Sequence, residues 1–133
     1  MTTVLFACVH NAGRSQMAAA LFNALADPTK ARAISAGTQP TDAVHPEVVA
    51  IMRELGIDLA SAKPQHLTDH VARQAQILIT MGCSEACPVV PGVRRDDWPL
   101  ADPKGQSFEQ VRAIRDEIRH RVLQLIHDNG WEP

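Results

Sequence analysis

The first part of the chain contains the feature that most limits the fold, which is a short strand-like run followed by a loop and then a helix. Residues 3–7 (TVLFA) are largely apolar and partly β-branched, a pattern typical of a strand covered on both faces. Residues 8–15 (CVHNAGRS) are small or polar, and from Ser15 apolar residues recur at helical spacing until Asp27 and Pro28. This order predicts the start of an α/β domain with a parallel sheet.

The rest of the chain repeats this alternation of strands and helices. Further strands are predicted at residues 31–35, 76–81 and 93–96, and further helices at residues 46–55, 68–75 and from residue 107 onward. Ser107 and Gln110 have the spacing of a capping box. An apolar stripe along the last helix is formed by Phe108, Val111, Ile114, Ile118, Val122 and Leu125. Repeated strand–helix units predict a single three-layer domain over residues 1–133, with helices on both faces of a parallel sheet.

The composition argues against several classes of partner. The chain has 13 basic and 15 acidic residues and a net charge of -2, so it lacks the basic surface that nucleic acids or membranes attract. The apolar run at residues 4–9 has no positive region before it, and no run reaches transmembrane length. Three cysteines without an export signal favour thiols in a reducing compartment. We therefore expect a cytoplasmic protein.

The loop after the first strand has the residues of an oxyanion site. Ligands of parallel sheets bind beyond the carboxyl ends of the strands, where this loop lies. Its backbone N–H groups and the following helix N-terminus can bind a tetrahedral anion, and Gly13 allows the backbone to approach closely. Arg14 can add a bidentate contact. The predicted oxyanion-binding residues are Val9, His10, Asn11, Ala12, Gly13 and Arg14.

Cys8 lies at the start of this loop and is the predicted nucleophile. The positive field of the loop favours the reactive thiolate form. Ser15 is placed to donate a hydrogen bond to the sulfur, and Asn11 to brace the loop from within. The alternative is an inert cysteine at a strand end beside a solvated Arg14. The strand, the small residues, Ser15 and the helix agree with one another, which favours the functional interpretation.

Four segments of the chain together resemble a known family. The segments CVHNAGRSQMA, SAGT, ITMGC and DDWPLADPKG resemble the thioredoxin-coupled arsenate reductases that share the low-molecular-weight protein tyrosine phosphatase fold. The resemblance covers nearly the whole chain. It implies a four-stranded parallel sheet, with Cys8 as nucleophile and Asp102 as general acid. It also implies reduction of arsenate, a phosphate-like oxyanion, with thioredoxin as external reductant and no bound cofactor.

The surroundings of Asp102 separate two activities within this family. From sequence alone, Asp102 and Pro103 also fit a simple turn. The related phosphatases have aromatic residues directly after this pair, where the chain has Lys104 and Gly105 and contains no tyrosine at all. Arsenate is small and needs no aromatic walls. Other members hold potassium through acidic side chains near the loop, but residues 16–20 (QMAAA) have none, so no metal is expected.

Cys83 and Cys87 are the remaining thiols. Cys83 follows the predicted strand at the same edge of the sheet as Cys8, so it can attack a cysteine–arsenate adduct, release arsenite and form a disulfide. Cys87 can then take over the disulfide and present it to a reductant. Three residues separate the pair, fewer than in the better-known members, and Pro88 disfavours a helical Cys87. This spacing leaves the role of Cys87 open.

A zinc site is an alternative for the same two cysteines. His66 and His70 have the same spacing as Cys83 and Cys87, and the four side chains are typical zinc ligands. A chain of this size needs no metal to fold, and the cysteines already have a role in the relay.

Two other functional classes remain open. Within the enzymes, the chain fits a small phosphatase, or an arsenate reductase that uses glutaredoxin or a low-molecular-weight thiol. Outside the enzymes, it fits a module that binds arsenite or senses oxidation. A passive module needs neither Arg14 nor Asp102, and the presence of both argues against it.

Overall fold

The computed structural model of the protein describes residues 1–82 and 92–133. Its strands are β1 (Thr2–Cys8), β2 (Ala31–Gly37), β3 (Ile77–Thr80) and β4 (Arg94–Asp97). Its helices are α1 (Arg14–Leu25), α2 (Pro46–Arg53), α3 (Asp69–Arg73) and α4 (Phe108–Asn129). Every predicted strand and helix is present in the predicted order, and the predicted ends differ from the observed ones by at most two residues.

The four strands form one parallel sheet in the order β2-β1-β3-β4. In the register of the sheet, Cys8 lies beside Gly37 of β2, and Ala7 lies beside Thr80 of β3. Parallel pairing brings the carboxyl ends of all four strands to one edge, so the loops that follow them meet there. The predicted four-stranded parallel sheet is confirmed.

The pleat of β1 sends alternate side chains into two apolar layers. Phe6 and Cys8 pack in the larger layer with α1, α2 and α4, and the ring centroids of Phe6 and Trp98 are 5.5 Å apart. Leu5 and Ala7 pack in the smaller layer with α3 and its flanking residues. Helices therefore cover both faces of the sheet, as predicted. No helix in residues 1–82 or 92–133 combines the length and apolar character needed to cross a membrane.

Helix α4 begins and ends at the signals that its sequence contains. The Ser107 side chain accepts from Gln110 N, and the Gln110 side chain accepts from Ser107 N, which completes the predicted capping box. Gly130 follows the helix at a φ of 71°. The stripe faces the core only from Val111 onward, because Phe108 in the first turn is 54% exposed.

A buried arginine on α4 was not predicted from the apolar stripe. Arg115 is 8% exposed and donates to the Ile51 carbonyl at 3.0 Å and to Glu54 at 2.9 Å. Arg112, one turn earlier, makes a bidentate contact with the same carboxylate. Hydrogen bonds from Arg112 and then from Arg115 lower the pKa of Glu54 to about 2. These contacts join α4 to the carboxyl end of α2.

We predict that Glu54→Gln destabilises the protein at neutral pH and that the difference from wild type disappears in acid. The folded state lowers the pKa of Glu54, so its carboxylate adds stability above the ordinary pKa of 4.5, and this stability is lost as the pH falls toward about 2. Urea unfolding at a series of pH values measures the difference. Glu117→Gln is the control, since Glu117 pairs with Arg121 on an exposed part of α4. A difference for Glu54→Gln that stayed constant down to pH 2 would contradict the prediction.

Candidate oxyanion-binding site

The loop between β1 and α1 is held in place by hydrogen bonds that its carbonyl groups accept. Four of its carbonyl oxygens accept hydrogen bonds of 2.8–3.3 Å from backbone N–H groups that follow β2, in the pairs Thr38 to Cys8, Gln39 to Val9, Thr41 to His10 and His45 to Ala12. A trans peptide points its carbonyl and the next N–H in opposite directions, and the described residues contain no cis bond. The N–H groups that follow these carbonyls therefore point away from residues 38–45.

These N–H groups and the start of α1 form one set of hydrogen-bond donors. Among the described residues, none accepts a hydrogen bond from the N–H groups of residues 9–13. Helix α1 begins after Gly13, which has no side chain to cap the first N–H groups of the helix. Such an array binds tetrahedral anions through its N–H groups and the helix dipole.

Cys8 is connected to the loop by a short chain of hydrogen bonds. Its Sγ atom lies 2.8 Å from Ser15 Oγ, and the sulfur-bearing residue is only 3% exposed. Asn11 Nδ2 donates to the same Ser15 oxygen at 2.8 Å. Because Ser15 Oγ accepts from Asn11, its own hydrogen is free to point at the sulfur. Ser15 can therefore donate a hydrogen bond to Cys8 Sγ while it accepts one from Asn11.

Asn11 braces the loop with every polar atom of its side chain. Besides donating to Ser15, it accepts at Oδ1 from Gln65 N at 2.9 Å and from Gln16 Nε2 at 3.3 Å. The residue is fully buried and has a φ of 50°, a left-handed conformation that asparagine tolerates better than most residues. Gln16 and Gln65 were not identified from the sequence, where nothing connects them to the loop.

Gly37 at the end of β2 lies directly against the loop. A Cβ atom added there would stand 2.6 Å from Val9 O and 2.9 Å from Asn11 N. Any side chain would therefore displace the loop backbone. Gly37 belongs to the segment SAGT that carries part of the family resemblance, but its role was not predicted.

Arg14 is a buried cation that contacts the segments that follow β3 and β4. Its Nη1 donates to Leu100 O at 2.9 Å, and its Nη2 lies 3.9 Å from Asp102 Oδ2. Gly82, just after β3, has a φ of 88°, and a Cβ atom there would collide with Nη1. The buried Nε finds no acceptor among the described residues. A charged donor without an acceptor is costly, and an oxyanion in the loop would supply one.

The other predicted site residues lie partly within the described chain. Asp102 is in the exposed loop after β4, where its Oδ1 accepts from Lys104 N at 3.0 Å in a local turn, and its Oδ2 faces Arg14. Cys83 and Cys87 lie outside the described residues. His66 and His70 are described, and within residues 1–82 and 92–133 no three His, Cys, Asp or Glu side chains cluster as metal ligands.

The fold and this site together define an α/β protein that can bind a tetrahedral oxyanion beside a cysteine sulfur. The sequence model of the low molecular weight phosphotyrosine protein phosphatases matches residues 3–130. The chain belongs to this family, and the resemblance predicted from the sequence is confirmed.

Relatives of the chain with named activities match over most of its length. A Halobacterium salinarum protein named "Putative arsenate reductase" is 40% identical over 127 residues, covering 92% of this chain and 89% of the relative. A Synechocystis protein named glutaredoxin arsenate reductase is 34% identical, covering 95% and 97%. The solved structure of a thioredoxin-dependent arsenate reductase from Corynebacterium glutamicum has a TM-score of 0.80 at 40% identity. That match covers 94% of this chain and 60% of the Corynebacterium chain.

We predict that Asn11→Ala lowers the unfolding free energy by about 2–4 kcal/mol and weakens phosphate binding. The variant leaves the buried partners of the amide unsatisfied, and alanine disfavours the positive φ at residue 11. Denaturant unfolding and the rise in melting temperature with phosphate measure the two effects. Asn11→Gly is the matched variant, since glycine adopts the same φ without strain but lacks the amide. Wild-type stability and phosphate binding in Asn11→Gly would mean that the amide does not brace the loop.

Proposed function

We propose that this protein reduces arsenate to arsenite with Cys8 as the nucleophile. The observation that carries the proposal is the 2.8 Å contact between Cys8 Sγ and Ser15 Oγ, in a loop whose N–H groups at residues 9–13 find no acceptor among the described residues. A thiolate at that position faces the centre of any oxyanion bound to the loop. The names of the relatives and the family membership support the same substrate class.

In the first step, the Cys8 thiolate attacks the arsenic atom of arsenate. An S–As bond forms and an As–O bond breaks, and the departing oxygen leaves as water after it takes a proton. Asp102 is the proposed donor of that proton, since its Oδ2 lies 3.9 Å from Arg14 Nη2 and its carboxyl therefore stands at the edge of the anion site. The Arg14 Nε group and the loop N–H groups stabilise the negative charge of the oxygens.

In the second step, the Cys83 thiolate attacks Cys8 Sγ. An S–S bond forms, the S–As bond breaks, and its electron pair stays on arsenic, which is reduced to arsenite while the two thiols are oxidised to a disulfide. The contact between Gly82 and Arg14 supports this step, because Cys83 is bonded directly to Gly82. The attacking residue is therefore one residue from the anion site along the chain.

In the third step, Cys87 attacks Cys83, and the disulfide moves from the Cys8–Cys83 pair to the Cys83–Cys87 pair. The dithiol of thioredoxin then reduces this bond and restores both thiols. The Corynebacterium glutamicum relative supports thioredoxin as the reductant, whereas the Synechocystis relative supports glutaredoxin as the alternative. Arsenate-dependent NADPH consumption with each purified reductant system distinguishes the two.

Hydrolysis of aryl phosphates is a second activity of the same site. Phosphate has the same tetrahedral geometry as arsenate, so Cys8 can accept a phosphoryl group and release the alcohol, and water can then hydrolyse the phosphocysteine. The family to which the chain belongs supports this side activity. It depends on Cys8, Arg14 and Asp102 but not on Cys83 or Cys87.

Cys8→Ser should abolish both arsenate reduction and aryl phosphate hydrolysis, because both begin with the same thiolate. The hydroxyl is a poor nucleophile at neutral pH, yet it leaves the fold and the donor array intact. Phosphate should therefore still raise the melting temperature of this variant, which serves as the control for folding. Residual reductase activity above about one part in 10² of wild type would place the nucleophile elsewhere.

The relay makes separate predictions for the two other thiols. Cys87→Ser should release about one arsenite per chain and stop with a Cys8–Cys83 disulfide, because only the last transfer is lost. Cys83→Ser should release little arsenite but keep aryl phosphatase activity, which makes it the matched control. Peptide mapping after one exposure to arsenate identifies the disulfide. A Cys8–Cys87 bridge in wild type would reverse the order, and repeated turnover of Cys87→Ser with thioredoxin would remove Cys87 from the mechanism.

A further inference from the structure

Gly13 and Pro103 are in direct contact. A Cβ atom added at Gly13 would lie 2.7 Å from Pro103 Cγ and 3.3 Å from Pro103 Cδ, so the proline ring occupies the space that a side chain would need. The φ of Gly13 is −139°, which is outside the left-handed region that requires glycine. The contact with the proline ring leaves no room for a side chain at this position.

Pro103 is buried, whereas the other residues of the segment 101–107 are exposed. Asp102 before it and Lys104 after it are exposed, whereas Pro103 is buried. The ring fixes φ at Pro103 and restricts the backbone of Asp102. The hydrogen bond between Lys104 N and Asp102 Oδ1 ties the carboxyl to the same turn. The position of the Asp102 carboxyl consequently follows the position of the Pro103 ring.

Gly13 is held in place by the first turn of α1. Its carbonyl accepts from Met17 N at 3.0 Å, and the residue stands at the start of α1, directly before Arg14. Met17 is fully buried in the core, so the first turn of the helix is anchored there. The contact with Pro103 therefore connects the loop of N–H donors to the loop that contains Asp102.

The ion pair between Arg14 and Asp102 is too weak to define the position of the carboxyl by itself. The Nη2 and Oδ2 atoms are 3.9 Å apart, which is beyond hydrogen-bond distance, and the Asp102 side chain is 46% exposed. Pairs with this exposure contribute little and leave the side chain free to move. Steric contact between two rigid groups does not depend on screening or on an exact charge geometry.

We infer that Gly13 and Pro103 are positioning residues, and that the ring of Pro103 seated on Gly13 sets the distance between the Asp102 carboxyl and the oxyanion bound at Cys8. The inference rests on the proposed function, in which Asp102 protonates the leaving oxygen. It adds that a single Cβ atom at residue 13 displaces the acid while the nucleophile stays in place.

The leaving-group dependence of aryl phosphate hydrolysis tests this inference. Phenyl phosphate has a poor leaving group that needs a proton, whereas 2,4-dinitrophenyl phosphate has a good one that does not. The readout is the ratio of kcat/KM for the two substrates, in which any shared loss of anion binding or of folded protein cancels. In Gly13→Ala, kcat/KM should fall about tenfold or more further for phenyl phosphate than for the dinitrophenyl compound, whatever loss the two substrates share.

Removal of the ring supplies the rescue experiment. Pro103→Ala should change the ratio in the same direction, because Asp102 loses its anchor. The double variant Gly13→Ala/Pro103→Ala should be no worse than Pro103→Ala alone, since the added Cβ no longer meets a ring. Gly56→Ala is the control for stability, because φ there is 76° and nothing lies within 4 Å of the added atom. It should lose stability through backbone strain and keep the wild-type ratio.

The outcomes separate this inference from the proposed function. A wild-type ratio in Gly13→Ala, or additive losses in the double variant, would overturn the inference alone. Wild-type protein that turned over neither arsenate nor aryl phosphates would overturn the proposed function and this inference with it.

If arsenate alone were turned over, the comparison between wild type and Gly13→Ala would use arsenite release in a single turnover. There, arsenite release that slows in Gly13→Ala about tenfold more than phosphate inhibition weakens would support the inference, and equal losses in the two would overturn it.

Discussion

The hydrogen bonds from residues 38–45 to the carbonyls of the first loop are the constraint on which the site depends. Because trans peptides are planar, the N–H group that follows each of these four carbonyls points to the opposite side of the loop. The donor segment is in place because β2 pairs with β1 over their whole length and ends with Gly37 beside Cys8. The orientation of the anion donors is therefore a consequence of strand pairing and not of the loop sequence alone.

The Arg14 guanidinium extends this constraint to the other loops at the same edge of the sheet. It contacts Gly82 after β3, Leu100 after β4 and the carboxyl of Asp102, so one buried cation touches the segments that follow two neighbouring strands. A substrate that binds Arg14 is thereby linked to the acid and to the residue that precedes Cys83. The Gly13–Pro103 contact supplies the steric part of the same arrangement.

The anion site contains one buried donor that finds no acceptor among the described residues, and contacts elsewhere stabilise the fold around it. The buried Nε of Arg14 finds no acceptor among the described residues, and a buried polar group in that condition costs about 1–3 kcal/mol. The contacts of Phe6 with Phe22 and Trp98 strengthen the layer beneath the site. The Glu54 carboxylate joins α2 to α4 on that same face of the sheet. These contacts stabilise the part of the fold that surrounds the anion site.

Local patterns in the sequence were sufficient for the order of the strands and helices, the capping box of α4 and the identification of the loop at Cys8. Each of these features depends on neighbours within one or two turns of the chain. The same is true of Ser15 and Asn11, whose places near the sulfur follow from the start of a helix directly after a strand. Phe108 was misjudged, because helical spacing does not tell where along a helix the core begins.

The sequence by itself determined that a strand, an anion loop with Cys8 and a helix follow one another, because hydrophobic periodicity and glycine placement act locally. Only the tertiary structure decided which distant residues complete the site. Gln65 N reaches Asn11 from 54 residues away, and Pro103 meets Gly13 through a loop on the far side of β3. Arg115 is buried for the same reason, since its partner Glu54 lies on another helix. Such contacts depend on how the sheet and helices pack together, and no short-range pattern in the sequence encodes them.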